Sequence, residues 1–403
     1  MTELTQSFVY DTVRTPFGRF GGALAGTRPD DLAAVVLKGI VDRAPGLAAD
    51  PTAIDEVVLG NANGAGEENR NVARMATLLA GLPTSVPGST LNRLCGSSLD
   101  ATMVASRSIE TGDADIVLVG GVESMTRAPW VLPKTEKPYP AGNLALASTT
   151  LGWRLVNPKM PAEWTVSLGE GTELLREKYD VSRERQDAFA ERSHRLANQA
   201  WADGFYDDLT IAVPGVEMPR DESIRPETTV ERLAGLRTVF RKENGTITAG
   251  NASPLNDGAS AVLVGNEAAR DRIGLDPIAR IAGRGANAVE PQFFGEAPVE
   301  AANRALRRAG ITWDDIAAVE LNEAFAAQSL ACLDAWRIDP EIVNPHGGAI
   351  AIGHPLGASG GRILGTLARG LQRSGKRWGV AAICIGVGQG LAVVLENVTG
   401  AKG

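Results

Sequence analysis

The chain has 403 residues, 44% hydrophobic and 22% charged, an ordinary globular composition with room for two or three domains at roughly 100–200 residues each. A formal net charge of −8 speaks against a nucleic-acid partner. Three cysteines and three histidines, with no CxxC or HExxH spacing, exclude a disulfide framework and leave no metal site to expect.

Helix and strand patterns then alternate. The run 31–41 reads as a helix and 54–59 as a buried strand. A second helix over 96–110 stops at Thr111-Gly112, and 115–121 is another buried strand. Residues 126–255 break this order. Trp130, Pro133, Pro138, Pro140, Trp153, Pro158, Pro161 and Trp164 fill a long irregular stretch. An amphipathic helix over about 182–203 follows, carrying Phe189, Leu196, Ala197, Ala200 and Trp201, with Gly204 as its stop. An irregular insert of this length inside an α/β chain is usually functional.

The alternation resumes with a helix over 299–309, a strand over 317–321, a helix marked by Ile363, Leu364, Leu367 and Leu371, and a strand over 379–385. Residues 54–62 can be laid on 316–324 without gaps, which suggests an internal duplication. The expected fold class is therefore α/β, with two similar halves and an inserted loop domain. The expected division is 1–125 plus 256–275 as the first half, 126–255 as the insert and 276–403 as the second half. The opening Met1 to Gln6 has neither a basic stretch nor an apolar run, and no segment of about 18 apolar residues follows. A cytoplasmic protein away from membranes is expected.

Four elements carry chemistry. Cys95 opens the helix that begins Gly96-Ser97-Ser98, and a helix N-terminus favours a thiolate and lowers the thiol pKa. Asn322-Glu323-Ala324-Phe325-Ala326 follows the strand 317–321. A glycine-rich run from Asn344 through His346, His354 and Ser359 to Gly361 comes next, and Cys384-Ile385-Gly386-Val387-Gly388-Gln389-Gly390 lies at the end of the last long strand. Loops leaving the C-terminal ends of strands are the usual site location in α/β folds. The glycine-rich run lacks the Gly-Lys-Ser/Thr ending of a phosphate loop.

Together these elements resemble the thiolase family over nearly the whole chain. The resemblance extends to Val13-Arg14-Thr15-Pro16-Phe17-Gly18, Gly120-Gly121-Val122-Glu123-Ser124-Met125, Thr248-Ala249-Gly250-Asn251-Ala252-Ser253 and Asn256-Asp257-Gly258-Ala259. It implies a layered α-β-α-β-α core and exchange of an acyl group between a 3-oxoacyl-CoA and CoA. CoA would be a substrate, no bound cofactor would be needed, and the assembly would be a homodimer or homotetramer. By this resemblance Cys95 is the nucleophile that holds the acyl group, and His354 takes its proton. Cys384 is the second acid/base. Asn322 holds a water beside His354 at one oxyanion site, and the backbone N–H groups of Cys95 and Gly386 form the other. Arg225 matches an arginine near the CoA nucleotide, Ala249 and Ser253 match positions along the pantetheine arm, and Met125 and Leu168 would shape the acyl pocket.

Other readings accompany these. Cys332 reads as core packing, His194 as a residue of a solvated helix face, and His346 as a substrate-side residue with a supporting or structural role near the site, direct proton transfer being the alternative. Arg220 and Arg232 are explained equally well by ordinary surface charge. The chain departs from the family pattern at His346, Pro254 and Val387, and at Ser167-Leu168, where acetoacetyl-CoA-type members carry His-Met. Residues 64–75 and Gly152-Trp153-Arg154-Leu155-Val156-Asn157-Pro158 look instead like the 3-oxoadipyl-CoA thiolases of aromatic-compound breakdown. A dicarboxylic substrate calls for a cation at the acyl end of the pocket, and the sequence alone marks none. The rivals are a biosynthetic acetoacetyl-CoA thiolase, a ketoacyl synthase-like condensing enzyme, which needs no second cysteine at position 384, and a non-catalytic acyl-CoA-binding protein.

Overall fold

In the computed structural model, which describes residues 4–399, the alternation becomes two copies of one plan. The first copy runs β1 (Phe8–Arg14), α1 (Pro29–Asp42), β2 (Glu56–Gly60), α2 (Val72–Leu79), β3 (Gly88–Leu91), α3 (Ser97–Thr111) and β4 (Ile116–Ser124). Two helices of the insert, α4 (Leu168–Lys178) and α5 (Arg183–Ala202), precede β5 (Asn256–Gly265). The second copy runs β6 (Ala279–Ala288), α6 (Ala297–Ala309), β7 (Ile316–Leu321), α7 (Ala326–Trp336), α8 (Ser359–Ser374), β8 (Trp378–Ile385) and β9 (Gln389–Asn397). Left-handed Gly112 and Gly310 end α3 and α6 where the sequence placed their stops, while Pro29 at the first turn starts α1 two residues earlier than expected.

Strand order matches between the copies. The first reads β3-β2-β4-β5-β1 and the second β7-β8-β9-β6, joined where Phe8 and Val9 of β1 pair with Arg280 and Ala279 of β6. In each copy the β2–β4 or β7–β8 pair is parallel and the next pair antiparallel. The duplication suggested by laying 54–62 on 316–324 is thus a shared topology, with β2 and β7 in equivalent places.

Alternating strand residues face different layers. Tyr10, Leu118 and Leu263 pack outward with Leu32, Val36 and Ala73 of α1 and α2. Val380, Ala382 and Val394 pack outward with Ala301, Ala305 and Leu330 of α6 and α7. The remaining faces close over α3 and α8, where Leu99, Met103, Ile363 and Leu367 meet Val119, Val262, Ile383 and Val393. The contacting faces of both helices are apolar or small-sided, with Leu99, Ala101, Met103 and Ala105 on α3 and Gly360, Gly361, Ile363, Leu364 and Leu367 on α8, while Arg107 of α3 is exposed. Their crossing is tight, because a Cβ built on Gly360 would overlap the Leu99 backbone nitrogen. Gly360→Ala should therefore cost ~2 kcal/mol or more by overpacking. An unchanged thermal midpoint would show that the two helices can separate.

The insert leaves at Ser124, which faces Asp257 across β4 and β5. In the second copy the equivalent β8–β9 connection is only Gly386-Val387-Gly388. The insert therefore occupies the place of a hairpin turn, next to the site. Its helix α5 is capped by Ser182, whose Oγ accepts from the Arg185 N–H, and it packs against α7 and the short helix Ala349–Ile352. The expectation for His194 is corrected here. It is buried on α5, and its Nδ1 accepts from the Arg225 backbone N–H at 3.2 Å, because the insert's return loop covers that helix face. Among the described residues no helix is long and apolar enough to cross a membrane.

Candidate active site

Cys95 sits at the foot of α3 in a turn that the backbone must strain to make. Leu94 lies in the left-handed region at φ 47°, which a branched side chain rarely adopts. The turn is held by Gly96 N–H to Arg93 O (3.0 Å), Ser97 N–H to Leu94 O (3.1 Å) and Leu94 N–H to Asn92 Oδ1 (2.9 Å). It presents the cysteine to a cavity of about 310 Å³. Leu94, Glu123, Arg154, Leu168, Leu356 and Gly386 share that lining with it.

The thiolate expectation needs correction. Burial pushes the Cys95 thiol up to about 11, and the Gly386 backbone N–H facing the sulfur only partly opposes this. Helix ends favour a thiolate where water still reaches it, whereas here desolvation wins. Cys384 is buried too. Its thiol lies well above the ordinary range through burial first, with the Cys95 sulfur adding to the effect.

His354 follows Gly353, whose φ of 116° and contact with the Asn256 side chain require glycine. The His354 N–H donates to Asn256 Oδ1 at 2.9 Å. On the ring, Nδ1 lies 2.6 Å from Ser359 Oγ, and that hydroxyl lies 3.0 Å from Pro355 O, to which it donates. One hydroxyl has one proton, so Ser359 accepts from Nδ1–H and leaves the lone pair on Nε2. Asn322 Nδ2 stands 3.3 Å from that Nε2. Burial, and then the nearby Arg362 charge, push the imidazole down to about 3. The resting site thus holds a neutral thiol and a neutral imidazole.

Asn322 is fixed from two sides. Its N–H donates to Ala382 O on β8 at 2.9 Å, and its Oδ1 is 3.5 Å from Arg362 Nη2. Arg362 is buried and pairs with Glu320 at 3.2 Å. The next residue, Glu323, accepts from Ser193 Oγ of α5 (2.7 Å), Asn344 Nδ2 (2.7 Å) and Ile350 N–H (3.1 Å), which ties the insert to both loops. Glu123 performs a similar service between the halves. One of its oxygens accepts from Ala62 N–H (2.9 Å) and Gly357 N–H (2.8 Å), while burial raises its carboxyl to about 7.

The structure gathers the expected residues unevenly. Cys95, Gly386 and Leu168 line the cavity. His354, Cys384 and Asn322 are 4%, 1% and 0% exposed and are not among its lining residues. Leu168 begins α4, whose cap is Ser167 Oγ accepting from Glu170 N–H at 3.2 Å. Met125 is buried with its sulfur 3.4 Å from the Asn256 N–H, off the cavity. Ser253 is half-buried and bonded to Ala324 O, and Ala249 and Arg225 are exposed; none of the three lines the cavity. His346 lines a separate cavity beside Glu320, stacked on Phe205 with ring centroids 3.5 Å apart. Cys332 packs in the core, its sulfur donating to Gly295 O at 3.2 Å. Arg220 bonds Asn198 Oδ1 and Arg232 bonds Glu227 O. Val387 takes φ 67° where the sequence departs from glycine.

Sequence reasoning assigned no role to Ser359, Asn256, Glu123 or the Glu320–Arg362 pair. The five-residue spacing from His354 to Ser359 at a helix start was the available signal for the first. Among the described residues no group of three or more His, Cys, Asp or Glu side chains is placed to hold a metal ion.

Two family models match the chain: the thiolase N-terminal domain over residues 7–268 and the thiolase C-terminal domain over 275–397. The chain is 48% identical over 405 residues to a beta-ketoadipyl-CoA thiolase of Escherichia coli, covering 98% of this chain and 100% of that protein. It is likewise 48% identical to the 3-oxoadipyl-CoA/3-oxo-5,6-dehydrosuberyl-CoA thiolase of Escherichia coli K12, with the same coverage. Among solved structures, the Bacillus anthracis acetyl-CoA acetyltransferase superposes with a TM-score of 0.91 at 36% identity, covering 99% of this chain and 100% of that one. Human mitochondrial 3-ketoacyl-CoA thiolase in complex with CoA gives 0.91 at 35% identity, covering 99% of each chain.

Proposed function

The chain belongs to the thiolase family, acyltransferases that cleave 3-oxoacyl-CoA with CoA, and from that premise we propose that its substrate is 3-oxoadipyl-CoA and that Cys95, His354 and Cys384 carry the reaction. The observation that supports this most is the Cys95 turn opening into a cavity beside the Gly386 N–H, with the Cys95 sulfur close enough to Cys384 to help raise that thiol.

In this reading the Cys95 sulfur attacks C3 of the substrate while its proton passes to Nε2 of His354. Separating charge in so dry a site is unfavourable until the oxyanion forms, so proton transfer and attack proceed together. The C2–C3 bond then breaks as the C3 carbonyl re-forms. C2 takes the proton of Cys384, which releases acetyl-CoA and leaves a succinyl thioester on Cys95. Incoming CoA gives its thiol proton to the Cys384 thiolate and attacks that thioester. Succinyl-CoA leaves, and the Cys95 sulfur recovers its proton from His354. Asn322, fixed by Arg362 and β8, would hold the water of one oxyanion site, and the Cys95 and Gly386 N–H groups would form the other.

CoA is a substrate here and no bound cofactor is invoked; Arg225, Ala249 and Ser253 would lie along it, while Met125 and His346 serve the surrounding structure. We read residues 1–125 with 256–275 and residues 276–403 as the two catalytic halves and 126–255 as the loop domain. A cytoplasmic homodimer or homotetramer fits the exposed Trp130 (73%), Tyr139 (99%) and Leu146 (60%) of the insert, apolar side chains that a partner subunit would cover. Thiolytic assay of a 3-oxoacyl-CoA panel tests the substrate: 3-oxoadipyl-CoA should give the highest kcat/KM, and a preference for acetoacetyl-CoA would overturn the reading.

A further inference from the structure

We infer that Arg154 is the specificity-determining residue of this site, the cation that receives the terminal carboxylate of a dicarboxylic acyl group. The inference rests on the reading of the Cys95 cavity as the acyl site. Arg154 is the one positively charged side chain among the described residues lining that cavity. Much of the wall around it is apolar, formed by Leu94, Leu151, Trp153, Leu168, Leu356 and Val387.

Several polar groups of the wall are already engaged, although Asn63 Oδ1 has no hydrogen-bond partner among the described residues. Asn63 Nδ2 donates to Thr149 Oγ1 at 3.0 Å, and the bonded Glu123 oxygen serves two backbone N–H groups. Arg154 is different. Half-buried, it has no carboxylate within ion-pair distance among the described residues, and its guanidinium makes no hydrogen bond to them. Elsewhere in the insert, Arg127 pairs with Glu67 and Arg241 with Glu170, at 2.5 and 2.6 Å, whereas the exposed Arg225 and Arg237 are left to solvent. A guanidinium set against apolar walls without a counter-charge is unfavourable unless a ligand supplies one, and a carboxylate matches its fork of donors.

The backbone on either side of Arg154 is set by local turns. Gly152 at φ 80° and Leu155 at φ 50° turn the backbone on either side, and Trp153 Nε1 donates to Val166 O at 3.0 Å. The carboxyl carbon of 3-oxoadipyl-CoA lies about 4 Å beyond the carbon that Cys95 attacks, from standard bond lengths. A long, flexible arginine accommodates that tail and a somewhat longer one. Arg154 would therefore select for a terminal charge more than for chain length.

The test compares 3-oxoadipyl-CoA with 3-oxohexanoyl-CoA, equal in carbon number and lacking the carboxylate, for the wild type, Arg154→Gln and Arg154→Lys. Arg154→Gln should lower kcat/KM for 3-oxoadipyl-CoA about 100-fold, mostly through KM, and leave 3-oxohexanoyl-CoA equal or better. Arg154→Lys should restore part of the loss. Equal loss on both substrates, or none on either, would overturn the assignment while leaving the thiolase reading intact. A wild type that prefers 3-oxohexanoyl-CoA would instead overturn the substrate reading, and the inference with it.

Discussion

A Cys95→Ser enzyme is expected to form no acyl-enzyme from acetyl-CoA or succinyl-CoA, with thiolytic kcat reduced ~10⁴-fold or more. The site leaves little margin for a weaker nucleophile. The native thiol already stands at about 11 through burial, and the imidazole that must take its proton at about 3. A serine hydroxyl is far less acidic than a thiol, and an oxygen ester would return its acyl group to CoA much more slowly than a thioester. The fold should survive, because Ser is smaller than Cys and the turn is held by Arg93, Leu94 and Asn92 instead of the sulfur. Labelled acyl transfer to this variant at the wild-type rate would remove Cys95 from the nucleophile's role.

Cys384→Ala is expected to split the reaction. Acyl transfer from acetyl-CoA onto Cys95 should persist, while cleavage of 3-oxoadipyl-CoA falls by about 10²–10⁴, the usual contribution of one positioned acid/base. The carbanion equivalent at C2 then has no proton donor on its own side of the site. The loss of one sulfur from a strand end packed among Ala382, Ala392 and Cys332 leaves a small cavity, costing ~1–2 kcal/mol of stability, which thermal unfolding reads separately from activity. Normal cleavage by this variant would assign the proton to another group.

Much of the architecture was written in local pattern. Helix stops at Gly112, Gly310 and Gly375, with runs of buried strand residues between them, show in the order of residues alone. The duplication showed only faintly in 54–62 against 316–324, because strand order is conserved where side chains are not. Burial was the harder quantity. His194 reads as a solvated helix residue until the insert's return loop covers it, and Cys95 reads as a thiolate until desolvation outweighs the helix end. Arg154 was visible within a subgroup motif, but nothing local says that its loop reaches the cavity containing Cys95, about 60 residues earlier in the chain. The Ser359 contact that sets the His354 tautomer, and the Glu123 clamp between halves, likewise depend on how the two copies dock.

The central claim is a covalent acyl group on Cys95, with Cys384 left free to move protons. Wild-type enzyme incubated with succinyl-CoA, quenched in acid and mapped by peptide mass spectrometry, tests it most directly. The succinyl mass should appear on the peptide containing Cys95 and on no other. Succinylation at Cys384 or Cys332, or full turnover with no modified peptide, would contradict it.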